Sequence, residues 1–180
     1  ATQAYRDSVV SELSAVTGLQ LVRARNLYEA SWDMGAFVLY SGFLKRLASK
    51  LSKISNDLRL LASGPRGGIA EIRLPGRQAG SSLMPGKVNP VIPEAVNQVA
   101  YRVFGLDTSI TFAAEAGQLQ LNAFEPLIVA SIHEGVTLLV SAMNVFRQNC
   151  VEGIEADTVR CKNTLTKSLA QATKLVQELG

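Results

Sequence analysis

Cysteine, aromatic and charged residues are all scarce in this sequence, and each scarcity excludes a class of protein. The two cysteines, Cys150 and Cys161, have neither the spacing of metal ligands nor the pattern of a disulfide framework, so we expect reduced thiols in a cytoplasmic protein. Aromatic residues make up 6% and charged residues 18% of the 180 residues, and the net charge is only +3. Because the basic residues are spread along the chain without a polybasic stretch, nucleic-acid binding is not expected.

The sequence also lacks a targeting segment and an uninterrupted membrane span. The first residues, ATQAYRDSVV, do not combine the charged start and apolar run of a signal peptide. The most apolar window, Pro126–Phe146, contains several polar residues, so we predict a buried helix of a soluble protein and no membrane partner. The chain begins without methionine and stops in helix-like sequence, and we therefore expect a fragment of a longer protein.

What the sequence does contain is the apolar periodicity of long helices. Between about Asp33 and Leu61 eight apolar residues recur every three or four positions, which places them on one seam of a helix roughly 40 Å long. Gly64 and Pro65 end this helix. The seam residues are Phe37, Tyr40, Leu44, Leu47, Leu51, Ile54, Leu58 and Leu61.

Further helices follow, and the sequence predicts an all-α bundle without strands. One helix begins just after Pro90, with Pro93 in its first turn, and a bend is expected near Gly105 and the polar run 107–109. Its seam comprises Ile92, Val96, Val99, Val103, Leu106, Ile110 and Ala113. A helix at about 123–151 is apolar almost all round, which predicts burial from several sides, with Ile128, Ile132, Val136, Leu139, Met143 and Phe146 inward. Shorter helices are predicted at about 2–16 and 156–178.

The segment 64–90 is too rich in glycine and proline for a helix, and it ends in the stretch GSSLMPGKVNP. This stretch offers flexible glycines, paired serine hydroxyls and amides, a cation and a neutral amide, at Gly80, Ser81, Ser82, Gly86, Lys87 and Asn89. Together with the following helix N-terminus, these groups suit a small carboxylate or phosphate. A phosphate-binding P-loop is excluded because Val88 follows the lysine. A plain surface connector stays open as the alternative.

The loop closely resembles the signature of the aspartase/fumarase superfamily. The resemblance covers nearly the whole chain, because LKRLASKLSKISNDLRLLASGPRGGIAEI is similar to the superfamily's long central helix and the loop after it. The stretch AAEAGQLQLNAFEPLI resembles the aspartate ammonia-lyase family in particular. Class II fumarases typically have an asparagine-phenylalanine pair in place of Gln118 and Leu119, and a lysine in place of Glu125, so fumarate hydratase is the alternative.

The resemblance implies a reversible anti elimination of ammonia from L-aspartate to give fumarate. The sequence shows no cofactor-binding motif and no cluster with metal-ligand spacing, so neither a cofactor nor a metal is expected. It implies that Ser81 is the general base on a mobile loop. It assigns carboxylate binding to Ser82, Leu83, Lys87 and Asn89, and loop shape to Gly80, Met84 and Gly86. Glu94 resembles the acid that supports an active-site histidine from another segment, and a plain first-turn acid is the alternative for it.

Several segments that family members contain are not found in this sequence. The N-terminal substrate motif, the histidine loop and the C-terminal domain are not found, so residues 1–180 are expected to be one helical region, the C-terminal part of the central domain. The resemblance implies a homotetramer with active sites shared between subunits and an inactive isolated chain. His133 lies outside the family's histidine motif and is expected to pack in a core or interface. A helical oligomerisation module without chemistry is the rival interpretation.

Overall fold

The computed structural model describes residues 1–80, 83–169, 172 and 176, and over these residues the chain is predominantly helical. This confirms the predicted all-α class. The helices are α1 (Gln3–Thr17), α2 (Leu27–Ala30), α3 (Gly35–Leu61), α4 (Val91–Glu115), α5 (Glu125–Asn149) and α6 (Thr158–Lys167), and a short 3-10 turn spans Val151–Gly153. Helices α1 and α2 contribute no buried residue, so the core is built by the elements after them.

Helices α3, α4 and α5 run up, down and up as an antiparallel bundle, and their core consists of three clusters along its length. Near the turn between α4 and α5 the core contains Met34, Ile110, Ala113 and Ile128. The middle cluster contains Ala48, Ala100, Val103 and Leu139. The cluster at the end that carries the long loop contains Val96, Ala142, Phe146 and Cys150, and Leu74 of the loop packs on it.

Helix α4 lies between the other two, and its predicted seam is confirmed. Five of the seven seam residues are buried and the other two, Ile92 and Val99, are half-buried. No break occurs at the expected position, because α4 is continuous from Val91 to Glu115. Asp107 does not break the helix, since its buried carboxylate accepts hydrogen bonds from Ser41 Oγ at 2.7 Å and Lys45 Nζ at 2.9 Å.

Helix α3 packs on α4 through small residues rather than through its leucine seam. Its buried residues are Ser41, Ala48, Ser52 and Ser55. Small side chains let two helix backbones approach closely, and the large seam residues then lie beside the contact. Four of these are half-buried, namely Leu44, Leu51, Leu58 and Leu61, and four are exposed, namely Phe37, Tyr40, Leu47 and Ile54. The predicted seam therefore borders the packed face instead of forming its centre.

Helix α5 contributes Ile128, Leu139 and Phe146 to the core, as predicted, while the other three predicted inward residues are half-buried. Burial from all sides is not found within this chain. His133 is exposed in this chain, so it does not pack in a core here, and its expected packing in an interface stays a prediction. By length and composition, Glu125–Gly153 is apolar enough to cross a membrane, with a mean hydropathy of 1.5, but core helices of soluble proteins pass the same test. Its contacts with α4 fit the predicted bundle helix.

The structure contains one small two-stranded sheet, which was not predicted from the sequence. Strand β1 (Ile72–Arg73) pairs antiparallel with β2 (Glu155–Ala156), with Ile72 opposite Ala156 and Arg73 opposite Glu155. Two residues per strand give no alternation that a sequence could reveal. The last helix begins at Thr158 and ends at Lys167, and most of the predicted remainder lies outside the described residues.

Candidate active-site loop

The long loop after α3 begins with a tight turn at residues 63–70, which we call the root turn. The Ile69 amide donates to Ser63 Oγ at 3.2 Å. A Cβ on Gly68 would lie 2.2 Å from the Ser63 carbonyl oxygen, so only glycine permits this close approach. The conformation of the root turn is therefore fixed by its own residues.

Contacts from the other end of the chain hold the root turn in place. Arg160 of α6 donates from Nη2 to the Gly68 carbonyl at 2.8 Å and from Nε to the Ile69 carbonyl at 3.1 Å. The Asp157 amide donates to the Glu71 carbonyl at 2.9 Å. The Asp157 carboxylate also accepts a hydrogen bond from Arg73 at 2.8 Å. The first part of the loop is therefore attached to the segment that follows α5.

The middle of the loop is attached to the end of α5. Arg77 donates from Nε to the Asn149 carbonyl at 3.1 Å, and its Nη2 lies 3.5 Å from the Gln148 carbonyl. A guanidinium at a helix C-terminus satisfies carbonyl groups that have no partner within the helix and complements the negative end of the dipole. Pro75 packs closely on Gly153. Residues 78–89 follow these contacts, and all of them are exposed where the structure describes them.

The exposed part of the loop contains a type II turn at Met84–Lys87, which we call the tip turn. The Lys87 amide donates to the Met84 carbonyl at 3.1 Å, and Gly86 has φ of 80°. Proline at the second position and a positive-φ glycine at the third are the residues that this turn type favours. The Lys87 side chain is exposed. Its cation therefore extends from a defined backbone turn.

A second turn connects the loop to α4. Pro90 has φ of −79° and ψ of 60°, and the Val91 amide donates to the Asn89 carbonyl at 2.9 Å, which is an inverse γ-turn. Pro90, the N-cap residue of α4, makes no side-chain hydrogen bond to the helix. Lys87 and the exposed Asn89 thus lie directly before a helix N-terminus, where the dipole favours an anion.

Gly80 and Lys87 of the signature stretch lie side by side. A Cβ on Gly80 would be 3.0 Å from the Lys87 carbonyl oxygen, so the backbone returns on itself between these residues. Ser81 and Ser82, the predicted base and its neighbour, lie outside the described residues. Leu83 and Met84 are exposed. The structure therefore places Gly80, Leu83, Met84, Gly86, Lys87 and Asn89 in one exposed loop.

Glu94 lies in the first turn of α4 and is half-buried. A guanidinium nitrogen of Arg59 lies 3.9 Å from its carboxylate. Arg59 also donates to Asn97 Oδ1 at 3.2 Å, and the buried Asn97 amide donates to Ser52 Oγ at 2.9 Å. This polar row was not predicted from the sequence, although Asn97, an asparagine directly after the seam residue Val96, was a usable signal. Either predicted role of Glu94 is compatible with it.

The signature stretch lies on the exposed surface of the chain where the structure describes it. A hollow of about 700 Å³ lies at the opposite end of the bundle, and its lining includes Trp32, Met34 and Glu115 but none of the predicted site residues. Among the described residues no group of three or more His, Cys, Asp and Glu side chains is placed to hold a metal ion.

Comparison with known proteins identifies the family. A family model described as lyase matches residues 1–105. The chain belongs to this lyase family. Members named aspartate ammonia-lyase are similar to this lyase-family chain over 176 residues, with 56% identity in Pseudomonas fluorescens and 51% in Escherichia coli K12. Both alignments cover 98% of this chain but 37% of the relative. The chain thus spans a little over a third of the length of these relatives.

Solved structures place the lyase-family chain in the same fold. It superimposes on the fumarate lyase:delta crystallin of Brucella melitensis bound to cobalt with a TM-score of 0.91 and 58% identity, covering 100% of this chain and 39% of the other. For a class II fumarase of Schistosoma mansoni the TM-score is 0.86 and the identity 30%, over 96% of this chain and 39% of that one. The resemblance to the aspartase/fumarase superfamily and the helical-bundle fold are confirmed.

Proposed function

We propose that the chain is part of an aspartate ammonia-lyase, which catalyses the reversible anti elimination of ammonia from L-aspartate to give fumarate. The observation that carries this proposal is the stretch 80–90, in which the exposed Lys87 lies just ahead of the N-terminus of α4 and Gly86 lies against the root turn. Such a site suits a small dicarboxylate. The higher identity to aspartate ammonia-lyases, 56% against 30% for the class II fumarase, favours aspartate over malate.

In the proposed reaction Ser81 removes a proton from Cβ of aspartate. A serine hydroxyl is a weak base, so its alkoxide needs hydrogen-bond donors and positive charge close by. Proton removal places a second negative charge on the adjacent carboxylate. Lys87, Asn89 and the amides of Ser82 and Leu83 bind this carboxylate and stabilise charge that appears only in the transition state. The carboxylate then gives its extra electron pair back to form the Cα–Cβ double bond, and the bond between Cα and nitrogen breaks with its electron pair on nitrogen. Fumarate and ammonia leave, and the Ser81 hydroxyl returns its proton to solvent.

We infer that the site is completed by other segments and other subunits. Large apolar residues are exposed on all three bundle helices, among them Phe37, Phe43, Tyr101, Phe112 and Val129. Large apolar residues exposed in this way are typical of a subunit interface. A homotetramer with shared active sites fits these faces. The isolated chain is then inactive, and the parent enzyme is cytoplasmic, uses no cofactor and binds no nucleic acid.

The first test uses the full-length parent protein. Formation of the conjugated diacid fumarate is followed by its ultraviolet absorbance with aspartate and, separately, with malate. Turnover of aspartate is expected. Turnover of malate alone would show the fumarate hydratase alternative to be right.

The second test separates an enzyme from an oligomerisation module. Ser81→Ala should reduce the turnover number by about 10²–10⁴-fold or more, because the proposed base is lost. Lys87→Gln should reduce it by about 10²–10³-fold, since a donor to the developing charge is lost. Lys50→Gln, at an exposed position of α3, is the matched control and should change little. Assembly should be intact in all three variants. Unchanged turnover in both loop variants would favour the module.

A further inference from the structure

We propose that Arg160 is a positioning residue for the candidate active-site loop, acting through the root turn. This role rests on the proposed function, because it concerns the same loop. It adds a residue that lies outside the signature stretch and 73 positions after Lys87 in the chain.

The Arg160 side chain bonds directly to the root turn. Its two nitrogens donate to two successive backbone carbonyls, those of Gly68 and Ile69, at 2.8 Å and 3.1 Å. Two parallel donors on a planar group fix both the position and the orientation of the peptide that accepts them. The side chain is half-buried, so water competes only partly for these carbonyls.

The root turn in turn contacts the tip turn. A Cβ on Gly86 would lie 3.6 Å from Pro65 Cγ, which places the tip turn against the root turn. Pro65 lies between Ser63 and Gly68, whose backbones approach each other closely. A displacement of the Gly68 carbonyl therefore moves the surface on which Gly86 lies, and Lys87 follows Gly86 directly.

The Arg73 side chain makes a different contact from Arg160. This side chain reaches the same segment after α5, where it donates to the Asp157 carboxylate at 2.8 Å rather than to a carbonyl of the root turn. Its side chain is 69% exposed. Arg73 is thus a matched control: it is an arginine that attaches the same two segments without bonding to the turn that supports Gly86.

The experiment uses the assembled full-length protein with Arg160→Lys, Arg160→Gln and Arg73→Gln. Hydrogen exchange of the Lys87 amide reports the tip turn directly, because this amide donates to Met84. Both Arg160 variants should speed this exchange by about tenfold, since two hydrogen bonds below the turn are lost. Arg73→Gln should leave it unchanged. Lysine should not rescue, because one ammonium cannot reproduce the two parallel donors of the guanidinium.

Kinetics provide the second measurement. In the Arg160 variants the turnover number with aspartate should fall by about 10-fold to 100-fold, because a displaced Lys87 no longer meets the developing charge, while KM changes less. Unchanged Lys87 exchange in Arg160→Lys and Arg160→Gln would overturn the proposal. The same acceleration in Arg73→Gln would also overturn it. If the parent does not turn over aspartate but the exchange pattern holds, Arg160 positions the loop and the proposed function is wrong.

Discussion

Replacement of Asn122 should test whether one side chain connects the ends of α4 and α5. Asn122 is 2% exposed and lies in the turn between the two helices. Its Nδ2 donates to the carbonyls of Ala113 at 2.9 Å and Ala114 at 3.3 Å, and its Oδ1 accepts from the Phe124 amide at 2.8 Å. It therefore caps the C-terminus of one helix and orders the start of the next.

The magnitude follows from these three hydrogen bonds. Each contributes about 0.5–1.5 kcal/mol net, and a buried carbonyl left without a partner costs about 1–3 kcal/mol. Asn122→Ala should therefore lower the free energy of unfolding by about 2–4 kcal/mol. Urea unfolding is compared with wild type at one protomer concentration, because association stabilises the folded chain by mass action. Asn144→Ala, at an exposed position of α5, is the control and should stay within about 0.5 kcal/mol.

The aspartate variant makes this test sharper. Asn122→Asp keeps the acceptor for Phe124 but directs a second oxygen toward the carbonyls of Ala113 and Ala114. Burial and the facing carbonyl oxygens raise the pKa of this carboxyl above its unfolded value, so this variant should gain stability relative to wild type as the pH falls. A loss below about 1 kcal/mol for Asn122→Ala would refute the reasoning, because the orphaned carbonyls would then have found other partners.

Three further predictions concern buried and titratable groups. The Ser55 hydroxyl is the one buried side-chain polar atom without a hydrogen-bond partner in the described part of the chain, so Ser55→Ala should stabilise the protein by about 1 kcal/mol in urea unfolding. Ser52→Ala removes one of the two acceptors of the Asn97 amide and should destabilise the protein by a similar amount. The pKa of Asp157 lies below its ordinary value of 3.8 because the Arg160 amide and then the Arg73 side chain bond to the carboxylate. This stabilisation is present above pH 3.8 and is lost as the pH falls through the lower folded-state pKa, so acid titrations should show a smaller loss for Asp157→Asn; an equal loss would contradict it. Burial raises the pKa of the Cys150 thiol, so iodoacetamide at neutral pH should modify the half-buried Cys161 first, as peptide mass spectrometry can show, and equal rates would count against this order.

The long helices were predictable because the information for them is local. The apolar spacing between Asp33 and Leu61 gave a helix that the structure bounds at Gly35 and Leu61. The proline and glycine of the tip turn likewise specify its type within four residues. Periodicity identifies a helix face, but it does not reveal which neighbour that face meets. For this reason the exposure of Phe37 and Ile54 could not be predicted.

The contacts that hold the loop could not be predicted from the sequence. Arg160 lies 91 and 92 residues after the carbonyls it bonds, and the partners of Arg73 and Arg77 are almost as distant. Every residue has a backbone carbonyl, so nothing in the sequence marks these particular carbonyls as the hydrogen-bond partners of an arginine. The chemistry of the loop was therefore readable from its own residues, whereas its attachment to the bundle depends on the tertiary fold.

The small residues along the buried face of α3 have a consequence for how α3 and α4 are aligned lengthwise. A stripe of serine and alanine is nearly uniform, so apolar packing alone would tolerate a shift of α3 along α4 by one turn, about 5.4 Å. Two polar pairs forbid that shift, because it would separate Ser41 from Asp107 and Ser52 from Asn97 at the same time. These pairs set the register of the two helices. They thereby fix how far the loop between α3 and α4 stands from the opposite end of the bundle.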